Sequence, residues 1–259
     1  MSYETILYEK QNGVATITLN RPHALNAFTS QMNSEFFNAL RDAEKDGETR
    51  TIIITGAGRA FCAGQDLKER SPDQKGSLGQ SLREKYNPII LRIRGMEKIV
   101  LAAVNGIAAG AGCNLALACD LRIASEEARF VEAFVRVGLA PDCGGSFFLP
   151  RLVGLSKAME LFLLGEPVDA QEALRIGLVT KVVPSDELPG RAREMAERLA
   201  RGPRSIGLIK RAVNRNLQSE LESQLEYEAN LQEIAGRSAD FDEGVKAFLE
   251  KRAPAFTGK

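Results

Sequence analysis

The chain has 259 residues, 44% hydrophobic and 26% charged, which is enough apolar material for one large domain or two small ones. Lys and Arg total 34, as do Asp and Glu, so the formal charge is zero and no basic face is offered to nucleic acid. A single histidine, His23, and four cysteines without a C-x-x-C pair give no metal-ligand set, and no apolar run approaches the roughly 20 residues that cross a bilayer.

Reduced, buried thiols and a cytoplasmic location are therefore expected, with no metal, no membrane partner and no nucleic-acid partner. Ile6–Lys10 and Val14–Leu19 show strand patterning around Asn12-Gly13, a hairpin signal. Met32, Phe36, Phe37, Leu40 and Ala43 at helical spacing predict a helix over 30–45, and Thr51–Thr55 is the next strand. A turn of small residues follows, Phe61-Cys62-Ala63-Gly64-Gln65-Asp66-Leu67. The polar stretch Lys68 to Ser81, with Pro72 and Gly76, reads as a mobile loop over a cleft, and helix returns over 82–94.

The apolar run Ile99–Val104 is a buried strand that leads into a second small-residue turn, Asn105 to Asn114, and into a short helix over 111–118. Leu121–Ala124 and Arg129–Val131 read as short strands, Phe147–Leu152, Lys157–Leu164 and Ala170–Ile176 as helices, and Leu178–Val183 as a strand. Helices continue from Asp186 to Lys251, so the pattern is an α/β core with a C-terminal helical region. Small residues after a strand leave backbone N–H groups accessible to a ligand. Two such turns meeting in one cleft could hold a single oxygen atom and stabilise charge that develops on a carbonyl.

Asn20-Arg21-Pro22, Asn26-Ala27, Ala63 to Leu67, Gly110 to Asp120, Gly165 to Gly177 and the ending Glu243-Gly244 to Phe256 stand in the order found in the crotonase superfamily, which the chain resembles over nearly its whole length. The resemblance implies a ββα spiral core over 1–195, a helical region over 196–259 that assembles homotrimers or dimers of trimers, and an acyl-CoA thioester as substrate, with no cofactor beyond the CoA it carries. It also implies that the amides of Ala63 and Ala111 form the oxyanion hole, with Gly110 as the other candidate for the second donor. Further implied are CoA contacts from Ala24, Leu25, Ala63, Gly64, Gln65, Asp66 and Leu67, and a phosphate contact from Lys251, which could equally be a solvated surface charge.

Family hydratases place two glutamates where this chain has Asn114 and Phe134. An amide is no general base, and a phenyl ring cannot activate water. A carboxylate appears instead at Asp142, in Gly138-Leu139-Ala140-Pro141-Asp142-Cys143-Gly144-Gly145. Family members with an acid there resemble isomerases, namely dienoyl-CoA isomerases and the ring-expanding epoxide isomerases of phenylacetyl-CoA breakdown, and the surrounding residues resemble the latter most. Asp142 is thus the expected proton shuttle, its pKa raised by an apolar wall such as Phe134. It could also N-cap the helix that begins near Gly144. Glu132 is expected to be a solvated charge unless the local path turns it into the cleft, Asp66 and Asp120 are expected to anchor loops, and Asn114 either orients a substrate oxygen or water or makes a helix-surface hydrogen bond. The alternatives to an isomerase are an enoyl-CoA hydratase, an aspartate nucleophile acting on a halogenated benzoyl-CoA, and a non-catalytic acyl-CoA-binding partner of a degradative complex.

Overall fold

A computed structural model describes residues 3–69 and 77–259. Its strands are β1 (Ile6–Gln11), β2 (Val14–Leu19), β3 (Thr51–Gly56), β4 (Ala60–Cys62), β5 (Ile99–Val104), β6 (Ile107–Ala109), β7 (Leu121–Ser125), β8 (Arg129–Val131), β9 (Val168–Asp169) and β10 (Lys181–Val183). The helices are α1 (Ser30–Lys45), α2 (Leu78–Ser81), α3 (Asn87–Gly95), α4 (Ala111–Ala118), α5 (Gly145–Val153), α6 (Leu155–Leu164), α7 (Ala170–Arg175), α8 (Leu188–Ala200), α9 (Ser205–Asn216), α10 (Leu221–Gly236) and α11 (Ala239–Leu249).

The strands divide between two sheets, β1-β2-β3-β5-β7-β10 and β4-β6-β8-β9. In successive units β3 and β4, β5 and β6, and β7 and β8 contribute one strand to each sheet before the chain enters helix, which is the expected ββα spiral. Pairing is parallel through most of the large sheet, and β5 is buried at all six positions, as a strand covered on both faces must be. One face is covered by α8, whose Leu188, Ala192, Ala196 and Ala200 pack on Val14, Ile53, Leu101 and Ile123. The other carries the main core, where α1 inserts Met32, Phe36, Leu40 and Ala43 at helical spacing. The division expected at residue 195 falls inside α8, and α9 to α11 follow that helix.

Asn12 and Gly13 both take positive φ, 52° and 75°, as the hairpin between β1 and β2 requires. Three differences from the sequence reading have local causes. Residues 178–180 are not strand: Leu178 and Val179 turn back to donate to the Ala173 carbonyl, leaving only 181–183 to pair with β7. The helix expected over 82–94 opens with a π-helical turn, Leu82–Tyr86, because Pro88 has no N–H to continue the ordinary ladder. That turn buries Tyr86 edge-on against Phe28, with ring centroids 6.0 Å apart. Lastly, β4 and β6 lie within the two small-residue segments, which are strand as well as turn. The expected loop over 68–81 includes residues 70–76, outside the described residues; the flanks are a 3-10 turn, Leu67–Glu69, and α2.

Asn26 joins the N-terminal loop to this frame. Fully buried, it donates through Nδ2 to the carbonyls of Ala57 (2.9 Å) and Ala60 (2.7 Å) and accepts from Arg21 N through Oδ1 (2.9 Å). Replacing Asn26 by Ala strands those groups at a residue held at φ 57°, and is expected to lower unfolding stability by about 2 kcal/mol in chemical denaturation; an unchanged denaturation midpoint would contradict it.

Candidate active site

The two small-residue segments touch backbone to backbone. A Cβ on Gly112 would lie 2.2 Å from the Cys62 carbonyl oxygen, so only glycine lets α4 approach β4 this closely. A Cβ on Gly64 would lie 2.9 Å from Ala109 O and 3.5 Å from Ala111 N, so the first turn rests on the amide that begins α4. Gly110, with φ 52° and ψ −124°, caps that helix in a conformation open to glycine.

Which amides are open follows from the hydrogen bonds. Ala63 N–H donates to the Leu25 carbonyl (3.0 Å) and Gly110 N–H to Val131 O (2.8 Å), so the expected first donor, Ala63, is taken and that assignment is corrected, and Gly110 is not available as the second. Phe28 pairs with Gln65 in a parallel bridge, in which Phe28 N donates to Gly64 O (2.7 Å) and Asp66 N to Phe28 O (2.9 Å). Gln65's own N–H then points away from Phe28 and has no acceptor among the described residues. Ala111 N–H is likewise unclaimed, as the first amide of a helix is. The open pair is Gln65 and Ala111, in abutting turns, with the positive end of the α4 dipole behind the second.

The remaining expected residues fall into place around this pair. Phe134 is buried, its ring 3.7 Å from the Cβ position of Gly110. Asp142 does not cap α5. Gly144 is the cap residue, at φ 79°, and Asp142 contributes only its carbonyl, which accepts from Gly145 N (2.9 Å). Asn114 is fully buried, which rules out a helix-surface bond; its Nδ2 donates to that same Asp142 carbonyl at 2.9 Å and holds the loop in place. Asp66 pairs with Arg21 at 3.0 Å and accepts from Lys68 N, and Asp120 accepts from Val100 N (2.8 Å) beside the buried Lys210 (2.7 Å), so both anchor structure as expected.

Ala24 and Leu25 sit beside the first turn through the Leu25 carbonyl, and Leu67 is exposed at its end. Lys251 is exposed after α11, in a tail that folds back through Arg252 and Ala255 onto Glu243; no contact among the described residues joins it to either turn. All four cysteines are free and buried.

The sequence reading misplaced Glu132. It is 3% exposed, at the end of β8 next to the Gly110 to Val131 bond, with the Cys113 thiol and the Asn114 amide lying against its carboxyl group. Phe130, Glu132 and Phe134 share a parity along the chain, so the burial of the two rings was the available signal. Desolvation first, and then the nearby Asp142 carboxylate, push the Glu132 pKa up to about 7. Asp142 is also raised by burial, against a contact from Cys143. Four buried acceptor oxygens here have no hydrogen bond of good geometry: Asn114 Oδ1, both oxygens of Glu132 and Asp142 Oδ1. An apolar cavity of about 560 Å³ lies at the other end of α4, lined by Leu117, Phe148, Leu152, Ile209 and Val213, and none of these four oxygens belongs to its lining.

Residues 9–259 match the family profile described as Enoyl-CoA hydratase/isomerase. The chain belongs to that family. It is 46% identical over 260 residues to the 1,2-epoxyphenylacetyl-CoA isomerase of Escherichia coli K12, with 99% of each chain covered. It is 48% identical, over the full length of both, to a protein of Rhodobacter capsulatus named a probable enoyl-CoA hydratase. Among solved structures, the enoyl-CoA hydratase of Bacillus anthracis superposes with a TM-score of 0.92 at 36% identity, covering 99% of this chain and all of the other. Positions 114 and 134, where the resemblance implies glutamates in hydratases, hold Asn and Phe, and the acids near the two turns stand at 132 and 142.

An acid whose folded pKa lies above its unfolded value stabilises the fold fully at low pH, and that stability is lost as pH rises from the unfolded to the folded value. For Glu132 the window runs from 4.5 to about 7 and amounts to about 3 kcal/mol at most. Glu132→Gln is expected to remove this decline, so the variant gains on the wild type between pH 5 and 8 in urea titrations; parallel pH dependences would refute the assignment.

Proposed function

We propose that the chain is an acyl-CoA isomerase that moves a proton through a thioester enolate. The observation that carries this reading is the acid inventory: no carboxylate at 114 or 134, and a half-buried Asp142 whose Oδ1 is unpartnered and whose basicity is raised by burial. The similarity to the E. coli isomerase supports it.

The Gln65 and Ala111 amides receive the thioester oxygen. Asp142, ionised, takes a proton from C2 of a 3-enoyl thioester, and the electron pair delocalises onto that oxygen. The two amides and the α4 terminus stabilise the dienolate. Asp142 then returns the same proton to C4 and the double bond ends between C2 and C3, so no atom, electron or cofactor is added. Asn114 keeps the Asp142 loop fixed throughout, and Phe134, on Gly110, walls the second turn. Ala24, Leu25, Gly64, Asp66 and Leu67 border the thioester's CoA arm, with Lys251 of a neighbouring subunit reaching its phosphate. The narrower substrate we propose is 1,2-epoxyphenylacetyl-CoA, in which the same amides hold the carbonyl while the ring rearranges.

Asp142→Asn is expected to lower isomerisation of trans-3-hexenoyl-CoA and of 1,2-epoxyphenylacetyl-CoA, followed by ultraviolet absorbance, roughly 10²-fold or more while thioester binding persists. Unchanged turnover would refute the shuttle. Rapid hydration of crotonyl-CoA by the wild type would favour a hydratase instead, and binding without turnover of any thioester would favour an auxiliary partner.

We further propose that the chain assembles as a homotrimer or a dimer of trimers through α6 and the C-terminal helices, where Leu155, Leu163, Leu221 and Phe248 are exposed in the single chain. Sedimentation velocity is expected to give three or six chains at micromolar concentration, and a monomer would overturn this.

A further inference from the structure

The four orphan oxygens around Asn114 form a cluster of acceptors with no donor among them. Buried acceptors in native proteins are paired nearly always, because an unpaired one keeps the full penalty of losing its water. Two of the four belong to Glu132, which is 3% exposed, and one to Asn114, which is fully buried. Asn114 Nδ2 gives one of its two N–H bonds to the Asp142 carbonyl, and its Oδ1, which can only accept, needs a donor from another group. A carboxyl group supplies one only when it keeps its proton.

We propose that Glu132 is a positioning residue that works in its protonated form, donating its carboxyl hydrogen to Asn114 Oδ1 and, through the Asn114 Nδ2 bond to the Asp142 carbonyl, fixing the loop that aims the Asp142 carboxylate. The assignment rests on the isomerase reading for its consequence in turnover, but not for the hydrogen bond itself. Glu132 does not touch substrate; it acts through Asn114 and Asp142.

The surroundings suit a neutral acid. The Cys113 thiol and the Asn114 amide on α4 favour the charged form of Glu132, but burial and the Asp142 carboxylate in the loop before α5 outweigh them; Cys143 in that loop feels Glu132 in turn, and no cation is among these groups. The Cys113 and Cys143 thiols are themselves raised well above their ordinary value by burial, so neither brings a charge. Arg122, whose charge acts on Cys113, is committed to the carbonyls of Leu178 (2.7 Å) and Cys119 (2.7 Å). On the far side, the Arg136 stem packs over Gly165. Two neighbouring carboxyl groups with no cation between them hold one proton in common until the pH carries it away, and the more deeply buried member keeps it. Here that member is Glu132.

Glutamine at 132 keeps the size and an N–H donor but cannot ionise, whereas leucine keeps the size and donates nothing. In the isomerisation of trans-3-hexenoyl-CoA, wild-type kcat/KM is expected to fall on an alkaline limb with a midpoint near 7. In Glu132→Gln the plateau is expected within about threefold of wild type and the alkaline limb is lost, while Glu132→Leu is expected to fall roughly tenfold or more at every pH. A second readout needs no turnover: in protein labelled with carbon-13 at the glutamate carboxyls, one resonance titrating near neutrality is expected, absent from Glu132→Gln and shifted down by at least half a unit in Asp142→Asn. An alkaline limb that survives in Glu132→Gln, a Glu132→Leu enzyme as active as wild type, or a resonance that ignores Asp142→Asn would each overturn the proposal. If the wild type turns over neither hexenoyl nor epoxyphenylacetyl thioester, the isomerase reading fails and the titration alone judges the carboxyl proton.

Discussion

Everything about the site depends on how closely two backbones approach. The Gly112 Cα lies against the Cys62 carbonyl, and Gly106 lies against Arg59 in the same way, with a Cβ position 2.1 Å from its carbonyl oxygen. No side chain larger than hydrogen fits at either place, and that absence brings the start of α4 onto the end of β4. Were the two segments even one methyl group farther apart, the turns that carry the open Gln65 and Ala111 amides would no longer abut. The large sheet, with β3 and β5 paired in register from Thr51 opposite Ile99 to Ile54 opposite Ala102, sets that separation, and α8 and α1 clamp the sheet from its two faces.

Acidic chemistry is layered behind this contact. Asp142 is half-buried, with a pKa raised by burial; Asn114 and Glu132 sit deeper and make no claim on solvent. The loop between them and α5 has two successive residues in left-handed geometry, Cys143 at φ 50° and Gly144 at φ 79°. Such a bend is stiff for a non-glycine residue, and it turns the Asp142 carbonyl inward to Asn114 and to Gly145 N while the carboxyl Oδ1 stays unpartnered. The same position that looked like a helix cap in sequence is therefore an elbow.

Long, uniform signals were readable from the residues alone. Met32 to Ala43 at helical spacing gave α1 its bounds, and the unbroken apolar run from Ile99 to Val104 could only be a strand covered on both sides. The small-residue turns announced exposed amides. Which amide stays open was not legible, because it is decided by Phe28, 37 positions before Gln65, and by Val131, beyond α4. The second sheet was equally hidden: three-residue strands such as Ala60–Cys62 are too short to show a period. Glu132 went unread because a lone acid carries no mark of its depth; only the shared parity with Phe130 and Phe134 betrays it.

The small sheet carries one more consequence. Its rungs join Ala60 to Ile107, Ile107 to Arg129 and Arg129 to Asp169, segments that lie far apart in the chain and meet over two or three residues each. A chain that had completed only β1, β2 and β3 would possess a hairpin, a helix and the smaller part of the core, yet no abutting pair of small-residue turns. Because such long-range closures cost entropy before they return any contact, the small sheet that flanks the two turns arrives late in folding rather than along the way. The completed small sheet is thus a report that nearly two-thirds of the polypeptide has been threaded correctly.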